Sequence, residues 1–319
     1  MTTAVAIALY NGEQFVQKQL ECIFRQTKQP DQVVLCDDGS KDNTVQIVRD
    51  FIEQNGLTDK WTLVINETNL GYAANFVHAM EQCTADVIFL ADQDDIWKLD
   101  KIEKMTQVMH DDPSIMVLSC KHGVIDSNDQ PIRGLLVPAE EETMLLSRVT
   151  TEQIMRSFRW PGMCMSVRNS FFREILPCID DTKIPHDVVV AVCAADRDGF
   201  WEFGYIGADH RRHTNNAGKE EHRIRRVLNL DRKIGELNTY NDMLSRLLSG
   251  RLPLGEKTRE TIRFRLQLSQ SRKAALERRS WGLLRKTYSG AGLPFLRVFS
   301  LMCDVWLICF GDYKSLRNK

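Results

Sequence analysis

The chain has 319 residues, 43% hydrophobic and 27% charged, with a formal net charge of −1. That length excludes a small single domain, and the apolar content supports a real core, so one large domain or two unequal ones are expected. The near-zero charge hides an asymmetry: residues 221–319 carry 21 Lys/Arg against 9 Asp/Glu, and the first 220 carry 21 against 34.

An acidic front part and a basic tail point to different partners for the two. The nine cysteines form no Cys-x-x-Cys pair, and several lie in apolar runs. Buried free thiols in a reducing cytoplasm fit this usage; a zinc site or a disulfide scaffold does not. Met1 leads almost directly into the apolar Val5–Leu9, so no secretion signal is expected.

Thr3–Leu9 reads as a first buried strand, and Tyr10-Asn11-Gly12 as a turn. Residues 13–26 place Phe15, Val16, Leu20, Ile23 and Phe24 at helical spacing. Gln32–Cys36 is a second strand ending in Asp37-Asp38-Gly39-Ser40, a turn rich in helix-capping residues, before a helix from Val45. Trp61–Ile65 is a third strand, 66–71 a loop, and Tyr72–Gln82 a third helix.

Val87–Ala91 is a fourth strand, an uninterrupted apolar run suited to burial on both faces. It runs into Asp92-Gln93-Asp94-Asp95. Carboxylates so crowded repel one another unless a cation lies between them, and a divalent metal that also holds phosphate is the simplest one. The bland alternative is an acidic loop capping a helix over Ile96–Leu99.

Four alternations of strand and helix predict an α/β fold with a mostly parallel, doubly wound sheet. The loops after strands one, two and four carry Asn11, Asp37-Asp38 and the acidic cluster to one sheet edge, where a nucleotide-sized site is expected. Neither GxGxxG nor GxxxxGK[ST] occurs, which disfavours Rossmann-type dinucleotide binding and P-loop phosphate cradling.

Further on, Ile115–Cys120 is a strand, and Trp160–Val167 a strand with a close-approach glycine at Gly162. His186-Asp187 is an ionisable pair just before the apolar Val188–Ala195, and His210-Arg211-Arg212-His213 is densely polar. Beyond about residue 221 the sequence turns helical and basic.

Leu293–Phe310 is nearly all apolar, with Arg297, Ser300 and Asp304 as a narrow polar stripe at helical spacing. This favours a helix lying in the plane of an anionic membrane, helped by basic neighbours. The alternatives are packing on the catalytic domain or a homodimer interface. No recognised motif accompanies the basic charge, so nucleic acid is not an expected partner.

Five motifs in this order carry a resemblance. They are Ala8-Leu9-Tyr10-Asn11-Gly12, Asp37-Asp38-Gly39-Ser40, Asn69-Leu70-Gly71 with Asn75-Phe76, Asp92-Gln93-Asp94-Asp95, and Pro185-His186-Asp187 with His210-Arg211-Arg212-His213. The chain resembles glycosyltransferase family 2, inverting enzymes of GT-A fold, and within it the rhamnosyltransferase-type branch. The likeness spans roughly residues 3–216.

The resemblance implies transfer of a sugar from a nucleotide-diphospho-sugar donor to a hydroxyl acceptor, a glycan or lipid-linked chain in surface polysaccharide synthesis. It places Tyr10 and Asn11 in the nucleotide pocket, with Asn69 and Gly71 on the same side, and Asp38 against the base. Asp92-Gln93-Asp94 matches the DxD motif, with Asp94 the more direct ligand of Mn²⁺ or Mg²⁺, Asp92 supporting, and His213 completing the site. Asp187 matches the catalytic base.

Each residue also has a plainer reading. Asp37-Asp38 and His186-Asp187 suit helix caps, Asn69 and Gly71 an ordinary turn, and His213 a solvated basic face. The expected organisation is a GT-A catalytic domain at 1–220 and a helical, basic region at 221–319, with the protein cytoplasmic and peripheral at the inner membrane face. Rhamnose from dTDP-rhamnose is the first-choice donor; a UDP-hexose, or a catalytically silent sugar-nucleotide-binding protein, are the alternatives.

Overall fold

The structure is a computed structural model that describes residues 1–132, 141–179, 184–212, 229–249, 251–289 and 298–310. The chain forms two compact units: Met1–Thr150 with Arg159–Asn216, and Thr151–Phe158 with Ala217–Lys319.

The first unit is built on one sheet. Its strands are β1 (Thr3–Leu9), β2 (Gln32–Asp37), β3 (Trp61–Ile65), β4 (Val87–Asp92), β5 (Ile96–Trp97), β6 (Val117–Ile125), β7 (Leu146–Arg148), β8 (Met165–Arg168) and β9 (Phe200–Arg211). They lie in the order β3-β2-β1-β4-β8-β6-β9-β5, with β7 also paired to β9. The first four run parallel; β8 is antiparallel to both β4 and β6.

Val87–Ala91 is fully buried, as the apolar run requires of a strand covered on both faces. The steps β1 to β2 to β3 walk outward, and β3 to β4 returns across β1. Right-handed crossovers therefore put α1 (Val16–Phe24) and α2 (Thr44–Gln54) on one face and α3 (Tyr72–Glu81) on the other. Accordingly α1 packs on α2, and α3 packs on β1, β2 and the helix His186–Asp196.

Two local expectations change. The helix expected after Asp95 is instead strand β5, which pairs Ile96 with Asp209 and Trp97 with Ala208 of β9. Trp97 is buried there with the Lys101 ammonium 3.5 Å from its ring centroid, and the next helix, α4, starts at Lys101. Pairing with a strand more than 100 residues away outweighs any local helical preference. Around Gly162, only Met165–Arg168 is strand; Gly162–Cys164 forms a 3₁₀ turn.

The second unit is helical. The helices Leu230–Leu247, Glu256–Glu277, Trp281–Tyr288 and Val298–Phe310 share a core that includes Leu237, Leu268, Leu276, Leu284 and Leu307. Asp304, expected on an outward polar stripe, is fully buried. It accepts hydrogen bonds from the Arg272 guanidinium, Nη2 to Oδ1 at 2.8 Å, and from the Tyr288 hydroxyl at 2.6 Å. The buried Arg272 requires a carboxylate partner, and that need turns the stripe inward. Met302, on the other side, is 64% exposed. Among the described residues no helix is long and apolar enough to cross a membrane. All nine cysteines are free.

Candidate active site

The strand registers build the site edge. Leu9 lies beside Asp37, Ala8 beside Asp92, and Asp37 beside Ile65. The carboxyl ends of β1 to β4 thus coincide, and their loops meet.

Side chains tie those loops together. Gln93 clasps the Tyr10 backbone with both ends of its amide, accepting from its N–H and donating to its carbonyl, each at 2.9 Å. Asn11 adopts a left-handed φ of 47° that an asparagine tolerates. Its N–H donates to Ser40 Oγ at 2.9 Å, and its Oδ1 accepts from the Lys41 N–H at 2.8 Å. Asp37 folds its own turn by accepting from the Gly39 and Ser40 N–H groups. It does not cap α2, whose N-cap, Asn43, makes no side-chain cap bond; Asp42, one residue earlier, accepts from the Thr44 N–H at 3.0 Å.

Asp38 is buried and organises the loop after β3. Its carboxylate accepts from the Leu70 N–H at 2.7 Å, the Gly71 N–H at 2.9 Å and the Asn66 side chain at 3.0 Å. Asn69 Nδ2 donates to the Asp38 carbonyl at 2.8 Å. Three donors thus point the Asp38 carboxylate at this loop, and Gly71, at φ 84°, makes the turn into α3.

The acidic cluster stands at the end of β4. Asp92 and Asp94 are half-buried and Asp95 is buried. Burial, then the charges of Asp95 and Asp94, and further off Asp187, hold the Asp92 carboxyl well above the usual carboxylate range. Asp95 is no helix cap: it accepts from the Arg211 N–H at 2.8 Å and lies 3.2 Å from His210 Nδ1. Arg211, also buried, donates from Nε to the Asp94 carbonyl at 2.7 Å. Burial lowers the His210 imidazole, but the hydrogen bond to Asp95 and the charges of Asp95, Asp92 and Asp94 outweigh it and raise its pKa.

Asp187 enters from the first turn of the helix His186–Asp196. It is 9% exposed and accepts from the Val188 N–H at 2.8 Å. Burial pushes its carboxyl up to about 6. His186 beside it is 1% exposed, and burial holds its imidazole down at about 3, hence uncharged. Its ring stacks on Phe76 at 4.2 Å between centroids and meets Tyr72 at 5.3 Å. Gly162 is small because His186 is there: a Cβ on it would lie 3.0 Å from His186 Nε2.

The structure thus brings Tyr10, Asn11, Asp38, Asn69, Gly71, Asp92 and Asp94 to one edge, and Asp187 near enough for its charge to act on Asp92. His213 lies outside the described residues. Gln93 and Arg211 lie inside motifs quoted above but have no role of their own in the sequence reading, and Tyr72 is signalled only by its place directly after Gly71.

Among the described residues no three His, Cys, Asp or Glu side chains are arranged to hold a metal. Mg²⁺-type ions are commonly held by one or two carboxylates together with substrate phosphates, without an all-protein cage. Asp92 and Asp94, crowded and mutually repelling, fit that kind of site. A cleft of about 850 Å³, lined by Lys98, Lys104, His122, Tyr205 and Asp209 among others, opens beside β6 and β9. Asp92, Asp94 and Asp187 are not part of its lining.

Residues 4–178 match the family described as Glycosyl transferase family 2. The chain belongs to glycosyl transferase family 2. This transferase is 26% identical over 121 residues to the UDP-Gal:alpha-D-GlcNAc-diphosphoundecaprenol beta-1,3-galactosyltransferase of Escherichia coli, covering 36% of this chain and 41% of that one. It spans about half, or less, of the length of the first curated relatives it matches.

Among solved structures it is similar to S. aureus TarS in complex with UDP-GlcNAc, with a TM-score of 0.61 and 16% identity over 90% of this chain and 80% of that one. It is also similar to the mannosyltransferase PcManGT of Pyrobaculum calidifontis in complex with GDP-Man and Mn²⁺, with a TM-score of 0.55 and 16% identity over 99% and 87%. These likenesses establish the GT-A fold of the transferase.

Proposed function

We propose that this transferase catalyses metal-dependent, inverting transfer of a sugar from a nucleotide-diphospho donor to a hydroxyl of a glycan or lipid-linked acceptor. One observation carries the reading: an acidic cluster at the end of β4 and a separate buried carboxylate, Asp187, lie near enough for their charges to act on each other. An inverting displacement needs those two things, an anchor for the leaving diphosphate and a base for the incoming hydroxyl.

In this reading Tyr10, Asn11, Asn69 and Gly71 face the nucleotide. Asp38 serves the base-binding side by ordering the Asn66–Gly71 loop. Asp94 and Asp92, with His213, would hold Mn²⁺ or Mg²⁺, which as a Lewis acid would offset charge on the diphosphate. Asp187 takes the acceptor hydroxyl proton on its carboxylate. With its pKa near 6 it is ionised at neutral pH yet basic enough to accept that proton.

Rhamnose from dTDP-rhamnose is our first choice, from the His186-Asp187 pairing that resembles the rhamnosyl-type branch. A UDP-hexose is the second reading, favoured by the UDP-GlcNAc bound to the similar TarS structure. The working place we propose is the cytoplasmic face of the membrane. The exposed Met302, the exposed Trp281 and the exposed basic residues Arg278, Arg279, Arg285 and Lys286 support peripheral contact with anionic lipid.

The test is calorimetric binding of dTDP-rhamnose, UDP-glucose and UDP-GlcNAc to the full chain, with Mn²⁺ and with EDTA, for wild type and Asp94→Ala. We expect one donor to bind only with the ion, and the substitution to abolish that dependence. Equal affinity with and without the ion in the wild type would remove the metal from the proposal.

A further inference from the structure

In an inverting displacement the acceptor hydroxyl, its proton passing to the base, attacks the anomeric carbon from the side opposite the leaving diphosphate. The transferred sugar ring must therefore lie between the diphosphate anchored at Asp92 and Asp94 and the carboxylate of Asp187. Tyr72, the first residue of α3, borders that place: its ring meets that of His186, the residue before Asp187, and it follows Gly71 of the loop that Asp38 holds. It is 55% exposed although it stands on an ordered aromatic base. Its ring meets Phe76 edge-on at 5.3 Å and 76°, and lies tilted on His186 at 5.3 Å and 56°. His186 and Phe76 are themselves stacked at 4.2 Å and 21°.

Backbone anchoring reinforces this placement. The residue before Tyr72, Gly71, donates its N–H to the Asp38 carboxylate at 2.9 Å, so the nucleotide-side loop fixes where the ring begins. Tyr72 thus stands between the loop ordered by Asp38 and the residue beside Asp187. His186 supplies the support at some cost, because both its ring nitrogens are buried without a hydrogen-bond partner. A ring kept neutral and unpartnered beneath another aromatic ring contributes its flat face.

We infer that Tyr72 forms the floor of a sugar-ring subsite, its exposed face packing on the C–H face of the transferred hexopyranose, with Phe76 and His186 as fixed support. This rests on the transfer reaction proposed above. The contact is with the sugar and not with the nucleotide, so it alters how far the sugar adds to nucleotide binding. Tyr72 is then a specificity residue: a donor sugar with a polar axial group on that face is disfavoured, and one with an apolar face is favoured.

The test uses the full chain with Mn²⁺ and calorimetric affinities for two matched pairs, dTDP-rhamnose against dTDP and UDP-GlcNAc against UDP. For the pair the wild type binds, Tyr72→Ala should weaken the sugar nucleotide about tenfold while the nucleoside diphosphate changes less than about twofold. Tyr72→Phe, which keeps the ring, should stay within about threefold of wild type for both. Thermal unfolding of each variant checks that the fold is retained.

Equal weakening of sugar nucleotide and nucleoside diphosphate, no change in either, or a Tyr72→Phe variant as weak as Tyr72→Ala would each overturn the subsite. A wild-type chain that binds none of the four ligands overturns the transfer reading itself, and this subsite with it. That outcome is read on the unmutated protein, so the two failures are distinct.

Discussion

Gln93 holds Tyr10 by its backbone at two points, with both hydrogen bonds at 2.9 Å. The middle residue of Asp92-Gln93-Asp94 is therefore the strap between the carboxyl ends of β4 and β1. It sets the distance between the nucleotide-side turn and the acidic cluster. Gly12 is part of the same fit, since a Cβ there would lie 2.2 Å from Gln93 Oε1.

Gln93→Ala should cost about 1–2 kcal/mol of stability, two modest hydrogen bonds at a partly exposed site. Gly12→Ala should displace the Gln93 amide and cost a similar amount. Because both changes break one strap, the double variant should lose less than the sum of the two. Urea unfolding of the three variants decides this, and strict additivity would show that Gly12 and Gln93 act independently.

Asp187→Asn should abolish transfer and leave nucleoside diphosphate binding intact. The sign of its pH effect follows from its raised pKa. The folded carboxyl holds its proton up to about pH 6, against 3.8 for the unconstrained group. The native state therefore binds the proton more tightly than the unfolded chain, and the stability this brings is lost as pH rises through 6. Asp187→Asn should thus raise stability above pH 7, on the order of 2–3 kcal/mol, and change it little at pH 4. The wild-type transfer rate should fall as pH drops below about 6, where the base becomes protonated. A flat rate between pH 5 and 8 would remove Asp187 as the base.

His186 shifts the other way. Its folded pKa of about 3 lies below the usual 6.5, so the unfolded chain takes up the proton first as pH falls. Wild-type stability is lost progressively below pH 6.5 from this group. His186→Phe keeps an aromatic face on Phe76 and removes the titration. Its stability relative to wild type should improve between pH 7 and pH 4.5, measured by denaturant midpoints at the two values. An unchanged difference would mean that His186 is not held neutral by the fold.

The Arg272–Asp304 pair makes a prediction for the helical unit. Asp304→Ala leaves a buried guanidinium without its carboxylate and should cost about 3–5 kcal/mol. Adding Arg272→Met should recover most of that loss, because removing both charges removes the desolvation burden. Thermal unfolding of single and double variants separates this from simple loss of packing, which the second change would not repair.

The membrane proposal is checked on exposed side chains, to leave that core intact. Arg285→Glu with Lys286→Glu should reduce sedimentation with phosphatidylglycerol vesicles at least tenfold, at about 1 kcal/mol for each basic residue near the surface. Equal sedimentation of wild type and variant would detach the basic helices from any lipid contact.

The parallel strands, the order of loops along one edge and the acidic cluster were all legible in the chain. Each is a local pattern: a fully apolar run means a strand covered on both faces, and alternation with helices makes such strands parallel. Val87–Ala91 followed by Asp92-Gln93-Asp94-Asp95 contains that much in nine consecutive residues.

Partnerships across the fold were not legible there. Asp38 reaches Gly71 33 residues away, and Asp95 accepts from Arg211 116 residues away. Ile96-Trp97 became a strand because β9 supplied an edge for it. Asp304 turned inward because Arg272, 32 residues earlier, needed a counter-charge. Tyr72 was only the first residue of a helix until Phe76 and His186 came to lie beneath it. Local pattern reports which face a residue prefers, by its hydrophobicity and spacing. Which charge it meets, and which ring it stands on, is decided when distant elements pack, because desolvation and pairing energies depend on neighbours that the linear order does not contain.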